Sequence, residues 1–254
     1  MPLPRVTVFS EDTPQPQPEA YARAYPRGIH QSLAAPLRAR GLAVRDALWS
    51  QPEHGLSEDV LAQTDVLVYW EHIAAQKTSD EVVTRVHRRI LGGMGLVALH
   101  SAVVSKLFRR LVGTSAGFRY RNIGERERVW VIDPAHPITQ GVPRYIELEG
   151  EEMYGEPFDI PQPDELVLTS WFEGGEVFRS GCCWRRGRGK VFYFRPGHET
   201  TPTYDNPDVQ RLLYNAVLWA APQEPPNPVP ERAINDRDNI LEQGMVRRLK
   251  EGRG

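Results

Sequence analysis

Short apolar runs alternate with stretches whose apolar residues recur at helical spacing through the first hundred residues. Arg5 to Ser10 reads RVTVFS, a strand with Val6, Val8 and Ser10 on one face. Three prolines between Glu11 and Pro18 prevent regular structure there. Ile29, Leu33, Ala34 and Leu37 then mark a helix, and Gly41 stands where a helix stop belongs. Leu42 to Leu48 reads as a second strand, and Ser57 to Leu61 as a short helix capped by Ser57. Asp65 to Tyr69, DVLVY, shows no polar alternation, which is the pattern of a central parallel strand covered on both faces. Thr78 is expected to cap a helix running to Leu91, closed by Gly92-Gly93, and Gly95 to Leu99 is another buried strand.

Strand–helix alternation of this kind predicts a parallel sheet with crossover helices on both faces. The rhythm then changes. Arg126–Asp133, Tyr145–Leu148, Glu165–Phe172, Val177–Arg186 and Lys190–Phe194 read as strands joined by turns, expected to extend the sheet antiparallel. Pro207 to Ala220 is a closing helix with Asn206 as cap and Pro207 at its first position. The fold class is therefore α/β, a three-layer sandwich with a mostly parallel sheet and antiparallel additions. Residues 1–222 form this domain. The remainder, 223–254, begins in the proline-rich stretch PQEPPNPVP and is read as a linker and C-terminal arm, with a short charged helix expected over 234–250.

Composition narrows the function classes. A net charge of −2 gives no basic field to gather nucleic acid. No apolar run reaches the ~18 residues of a membrane span, and the N-terminus lacks a secretory apolar core. The only two cysteines, Cys182 and Cys183, are adjacent, which disfavours a bridge between them. Both are read as small buried residues on opposite faces of one strand, and a reducing cytoplasm is the expected location.

Ligands of an open α/β sheet bind beyond the carboxyl ends of its strands. Histidine stands at three such exits: His72 after Trp70-Glu71, His100 after the fourth strand, and His198 in the run Arg195-Pro196-Gly197-His198-Glu199. His30 opens the helix that faces the same rim. The turn at His100-Ser101 has the strand-to-helix context of a nucleophile elbow. Ser101 leaves a serine-hydrolase reading open, although Gly-x-Ser-x-Gly is absent. In the acid-rich block around Met153, Glu147 and Glu149 read as a solvated edge. Glu151, Glu152 and Tyr154 read as site candidates. Trp70, Tyr154, Trp171 and Tyr204 are the aromatic material for a sugar site, with Trp171 assigned to the core. His54, His87 and His136 are given no role.

The segments EGEEMYGE (149–156), WFEGGEVFRSGCC (171–183) and FYFRPGHETTPTYDNP (192–207), with YPRGIH (25–30) and Trp70-Glu71-His72, resemble the ThuA-like trehalose-utilisation family over about residues 5–222. The resemblance implies a flavodoxin-like, class I glutamine-amidotransferase-like fold, with His100 at the turn where an amidotransferase carries cysteine. It also implies a part in the catabolism of trehalose and related sugars. A histidine that the family pattern places in the loop 11–18 is missing.

Two functions follow as expectations. The first is an enzyme acting on a trehalose-related or oxidised (keto) sugar. His100, His198, Glu152 and Glu199 are its catalytic candidates, and His30, Trp70, His72, Tyr154, Ser101 and Tyr204 its substrate-binding candidates. His72, His100 and His198 would suit zinc or another divalent metal, and no nucleotide cofactor is expected. The second is a non-catalytic sugar-binding or partner module. The expected partner is a small carbohydrate. The late hairpin or the C-terminal arm is the expected means of any self-association.

Overall fold

The computed structural model of the chain describes residues 3–222. The C-terminal arm and its expected helix over 234–250 lie outside the described residues. The strands are β1 (Arg5–Ser10), β2 (Ala43–Leu48), β3 (Val66–Trp70), β4 (Gly95–Leu99), β5 (Arg119–Val131), β6 (Tyr145–Gly155), β7 (Glu165–Phe172), β8 (Val177–Arg186) and β9 (Gly189–Phe194). The helices are α1 (Glu19–Ala24), α2 (Ile29–Ala39), α3 (Glu58–Ala62), α4 (Asp80–Leu91), α5 (Lys106–Val112) and α6 (Pro207–Ala220). All nine strands join one sheet in the order β2-β1-β3-β4-β9-β8-β7-β5-β6. Its first five members run parallel in the 2-1-3-4-5 arrangement of flavodoxin-like folds. The rest are antiparallel additions.

One strand corrects the sequence reading. β9 was expected among the antiparallel additions. It pairs antiparallel with β8 on one side but parallel with β4 on the other, from Leu96↔Val191 to Leu99↔Phe194. Its continuous run of buried residues, Val191 to Phe194, is the same both-faces-covered signature as in β3 and β4. β9 is thus the seam between the two halves of the sheet. β5 and β6 also extend beyond the expected bounds, β5 from Arg119 and β6 to Gly155. Gly124 and Gly150, both at φ +75, accompany register shifts that break the alternation there. α1 went unassigned because six residues after a proline-rich loop carry too little periodicity.

Helix starts follow side-chain chemistry. Ser57, Ser105 and Asn206 each accept backbone N–H groups of the first turn. The cap of α4 is Ser79, one residue past the expected Thr78. Thr78 instead turns inward, accepting from Trp49 Nε1 at 2.9 Å and donating to Glu71.

Two apolar layers flank the sheet. One joins α2 and α6 to the sheet through Val6, Val97, Phe192 and Cys183. The other joins α3, α4 and α5 to it through Leu67, Leu96, Tyr193 and Cys182. The adjacent cysteines therefore do face opposite sides, and both are buried and unbridged. Among the described residues no helix is long and apolar enough to cross a membrane.

The α6 terminus sits against the start of β4, where a Cβ on Gly95 would run into the Ala220 carbonyl. Gly95→Ala is expected to destabilise the fold by roughly 1–3 kcal/mol, the cost of overpacking a rigid contact. Urea unfolding of the variant measures this. An unchanged midpoint would mean that α6 is not seated on β4.

Candidate functional site

Because β1, β3, β4 and β9 are parallel, their carboxyl ends open on one edge, and the next residues are Glu11, Glu71-His72, His100 and Arg195. Each exit is shaped locally. His100 has φ 48, in the left-handed region that a side chain rarely occupies, and starts the tight turn His100–Val104. The sharp turn expected there is present. Gly197 has φ +126, and a Cβ on it would strike the Tyr204 ring. Only glycine fits between Tyr204 and Trp70, whose Nε1 donates to the Gly197 carbonyl at 3.1 Å. That close packing turns the chain so that His198 faces the edge.

Three imidazoles meet there. Ring centroids lie 6.4 Å apart for His72–His100, 6.4 Å for His72–His198 and 5.6 Å for His100–His198. Two carboxylates face them. Glu152 approaches His100 Nε2 at 3.4 Å. Glu199 straddles the other two, at 3.4 Å from His72 Nε2 and 3.5 Å from His198 Nε2. Tyr154 stacks on His100 at 5.2 Å, with its hydroxyl 3.5 Å from Nε2. The His100 Nδ1–H donates to the Arg195 carbonyl at 3.0 Å, which leaves Nε2 as the nitrogen turned to Glu152.

A buried guanidinium organises this edge. Arg195 is fully buried and donates to Glu127, to Glu151 at 3.3 Å and to the Glu152 carbonyl at 2.7 Å. Glu151 also receives the Thr203 hydroxyl and the Gly197 N–H at 3.4 Å. At the neighbouring exit, Glu11 accepts from the N–H groups of His72 and Ala74 at 2.7 and 2.9 Å, fixing the loop that carries His72.

Burial and pairing push the cluster in opposite directions. Burial outweighs Glu152 at His100 and lowers its pKa to about 4. It also lowers that of His198. Burial opposes charge on His72 too, but Glu199 outweighs it and raises the His72 pKa above the ordinary value. Glu199 itself, despite burial, is held down to about 2 by His72 and the other imidazoles. His100 keeps Glu152 low against the same opposing burial. The edge thus offers neutral imidazoles next to one whose protonated form is favoured.

The expected residues fall into two groups. His72, His100, His198, Glu152, Glu199 and Tyr154 come together. Trp70 and Tyr204 support them from behind: both are buried, and the Tyr204 hydroxyl is spent on the Pro196 carbonyl. Ser101 is buried and donates to the Glu71 carbonyl at 2.8 Å, which makes it part of the turn's framework. His30 has Asp46, Asp12 and Arg38 as its charged neighbours rather than the three imidazoles. The expected convergence of four histidines is therefore one of three, because α2 enters the rim on the β2 side. Trp171, assigned to the core, instead lines an outer-face groove of about 540 Å³ with Arg128 and Trp130. Its partner across the strands is Arg128, on the outward side of β5.

Neutral imidazoles and carboxylates are the right donors for zinc. Among the described residues, however, no group of three or more His, Cys, Asp or Glu side chains is spaced to hold a metal ion. The Nε2 atoms are turned to Glu152 and Glu199 instead.

Sequence reasoning missed Asn122, whose Nδ2 lies 3.1 Å from His198 Nε2. It sits on the charged, glycine-interrupted extension of β5, where alternation gave no strand. Glu127 and Arg195 were also missed. The signal for Arg195 was its place directly after a fully apolar strand, where a charge demands a partner.

A family model described as ThuA, trehalose utilisation, matches residues 5–220. No curated protein matches the sequence. A ThuA-like protein from Parabacteroides merdae has a similar structure, with a TM-score of 0.65 and 14% identity over 90% of this chain and 94% of that one. A ThuA-like protein from Bacteroides uniformis gives a TM-score of 0.61 and 15% identity over 86% and 92%. A cytoplasmic protein from Salmonella typhimurium gives 0.58 and 14% over 86% and 100%. At these identities the likeness is one of fold.

Imidazole titration followed by NMR tests the electrostatics. His100 should stay neutral down to about pH 4, and His72 should hold its proton above 6.5. In Glu199→Gln the carboxylate is gone while burial stays, so His72 should titrate below 6.5. An unchanged His72 would refute the pairing. Because the folded value of His100 is depressed, its contribution to stability is lost as pH falls from 6.5 towards 4.

Proposed function

The chain belongs to the ThuA trehalose-utilisation family, and on that footing we propose that it is an enzyme acting on a trehalose-related or oxidised (keto) sugar by proton transfer at the histidine cluster. The observation that carries this reading is the contrast within the cluster: His100 disfavours its proton while His72, about one ring away, favours it. A neutral base beside a protonated acid is the pairing that moves a proton next to a carbonyl.

In this reading His100 is the base. Its Nδ1–H is committed to the Arg195 carbonyl, so Nε2 takes the proton from the carbon beside the keto group. The ring then carries charge in a buried place, and Glu152 at 3.4 Å stabilises that charge as it forms. His72, its proton favoured by Glu199, gives that proton to the developing enolate oxygen, and the intermediate is an enediol. Protonated His100 then returns its proton to the neighbouring carbon, or to the same one, while neutral His72 takes the proton of the enediol hydroxyl that becomes the carbonyl. His198, placed by Asn122 and Thr200, orients a sugar hydroxyl. Glu199 Oε2 is buried without a hydrogen bond from the described residues and is an acceptor for such a hydroxyl. A cytoplasmic location suits the two unbridged thiols.

The test is hydrogen exchange into the keto derivative of trehalose in heavy water, read by NMR. Deuterium should enter the carbon beside the carbonyl. His100→Gln should slow the exchange by roughly 10²–10⁴-fold, the usual scale of a positioned base. The rate should climb as pH rises through about 4, where His100 becomes neutral, and fall above 6.5, where His72 loses its proton. Binding with no exchange or turnover would assign the chain to a sugar-binding module instead. Elemental analysis of the active protein decides the metal: stoichiometric zinc lost in His100→Gln would replace the metal-free scheme.

A further inference from the structure

The extension of β5 that sequence reasoning missed places an aromatic ring at the rim of the site. Tyr120 lies directly opposite Tyr154 in the antiparallel pairing of β5 with β6. Directly paired residues project to the same face, and Tyr154 faces His100. The neighbours of Tyr120 two residues away on the chain confirm that direction. Phe118 stacks on Tyr154 at 4.0 Å, and Asn122 reaches His198 at 3.1 Å. Tyr120 therefore sits between two residues that touch the cluster, roughly 7 Å along the strand from each.

Its two neighbours are used by the site, but Tyr120 itself is 70% exposed. The strand that carries it is held in place. Arg121, on the opposite side, makes paired hydrogen bonds to Glu125 and Glu176 at 2.7–2.9 Å. A solvated aromatic ring on a strand held beside a polar reaction centre is suited to a second sugar ring: its face takes the apolar C–H side of a pyranose, and its hydroxyl stays in water.

We propose that Tyr120 forms an outer subsite that stacks the second ring of a two-ring sugar while the first lies at His72, His100 and His198. This rests on the reading of the cluster as a keto-sugar site, and it makes the chain selective for disaccharides over single sugars. Because Tyr120 is exposed and outside the core, its replacement leaves the fold intact.

The experiment compares the keto derivatives of trehalose and of glucose as ligands, by calorimetry and by the shifts of the imidazole signals. The native protein should bind the two-ring sugar more tightly. Tyr120→Ala should weaken it roughly tenfold, the scale of one aromatic contact, and leave the one-ring sugar unchanged. Tyr120→Phe should bind like the native protein, since stacking needs the ring and not the hydroxyl. Equal affinity of native protein and Tyr120→Ala for the two-ring sugar would overturn the subsite and leave the keto-sugar reading standing. Failure of both sugars to move any imidazole signal would overturn both. If Tyr120→Ala changes the sedimentation coefficient and not the affinity, the ring is a contact between copies of the chain and the subsite is refuted.

Discussion

A single buried guanidinium holds the site and the two halves of the sheet together. Arg195 leaves the end of β9, the seam strand, and reaches Glu127 on β5 and Glu151 on β6. Its ring neighbours are Tyr154 at 5.6 Å and Phe172 at 5.2 Å. Withdrawing such a charge from water costs several kcal/mol, so it is tolerable only with partners in place. Two carboxylates against one guanidinium would leave a net negative charge in a dry place. Burial raises the Glu151 pKa to about 7, which favours relief of the excess charge by a proton there, while Glu127 makes the closer contact with Arg195. The backbone then follows the side chain. The Arg195 carbonyl accepts the His100 Nδ1–H, and its Nη1 donates to the Glu152 carbonyl. His100 and the neighbouring Glu152 are thereby positioned by the same residue.

That arrangement explains what could be read from the sequence and what could not. The parallel half was legible because its central strands β3 and β4 are covered on both faces, so that VLVY and GLVAL carry no charged residue. Strand exits were equally legible, since a polar residue directly after such a run must lie on the rim. His72, His100 and His198 were found in this way. The antiparallel half hid its length. In RYRNIGERE most residues of both faces are polar, Glu125 and Glu127 having buried pairing roles, and a glycine bulge resets the alternation. Asn122 and Tyr120 lie in that stretch. His30 shows the converse limit. A helix N-terminus marks a rim but not a position along it, and α2 enters beside β2 rather than β3.

Distance along the chain also set a limit. Glu127 and Arg195 are 68 residues apart, and each looks like an ordinary surface charge until the fold closes. Trp171 illustrates the same problem with an apolar residue. Its strand alternates correctly, but which face is inward depends on where the sheet bends. The inner side takes Ser170 and Phe172, so the indole is left on the outer face beside Arg128.

The chemistry of the edge follows from how far each imidazole sits from water. His100 is fully enclosed, held at a strained φ by the turn after β4 and anchored through Nδ1. His72 keeps part of its ring in solvent and has a carboxylate held near the bottom of its titration range. The same residue type is therefore pushed in opposite directions, His100 away from its proton and His72 towards it, within 6.4 Å. β3 and β4 end level, at the Trp70↔Leu99 pair, so the difference arises beyond them: the ring directly after β4 is buried, while the one two residues beyond β3 is partly exposed. The contrast on this edge is thus set by the depth at which each imidazole stands, fixed at His100 by the Arg195 carbonyl and at His72 by Glu11.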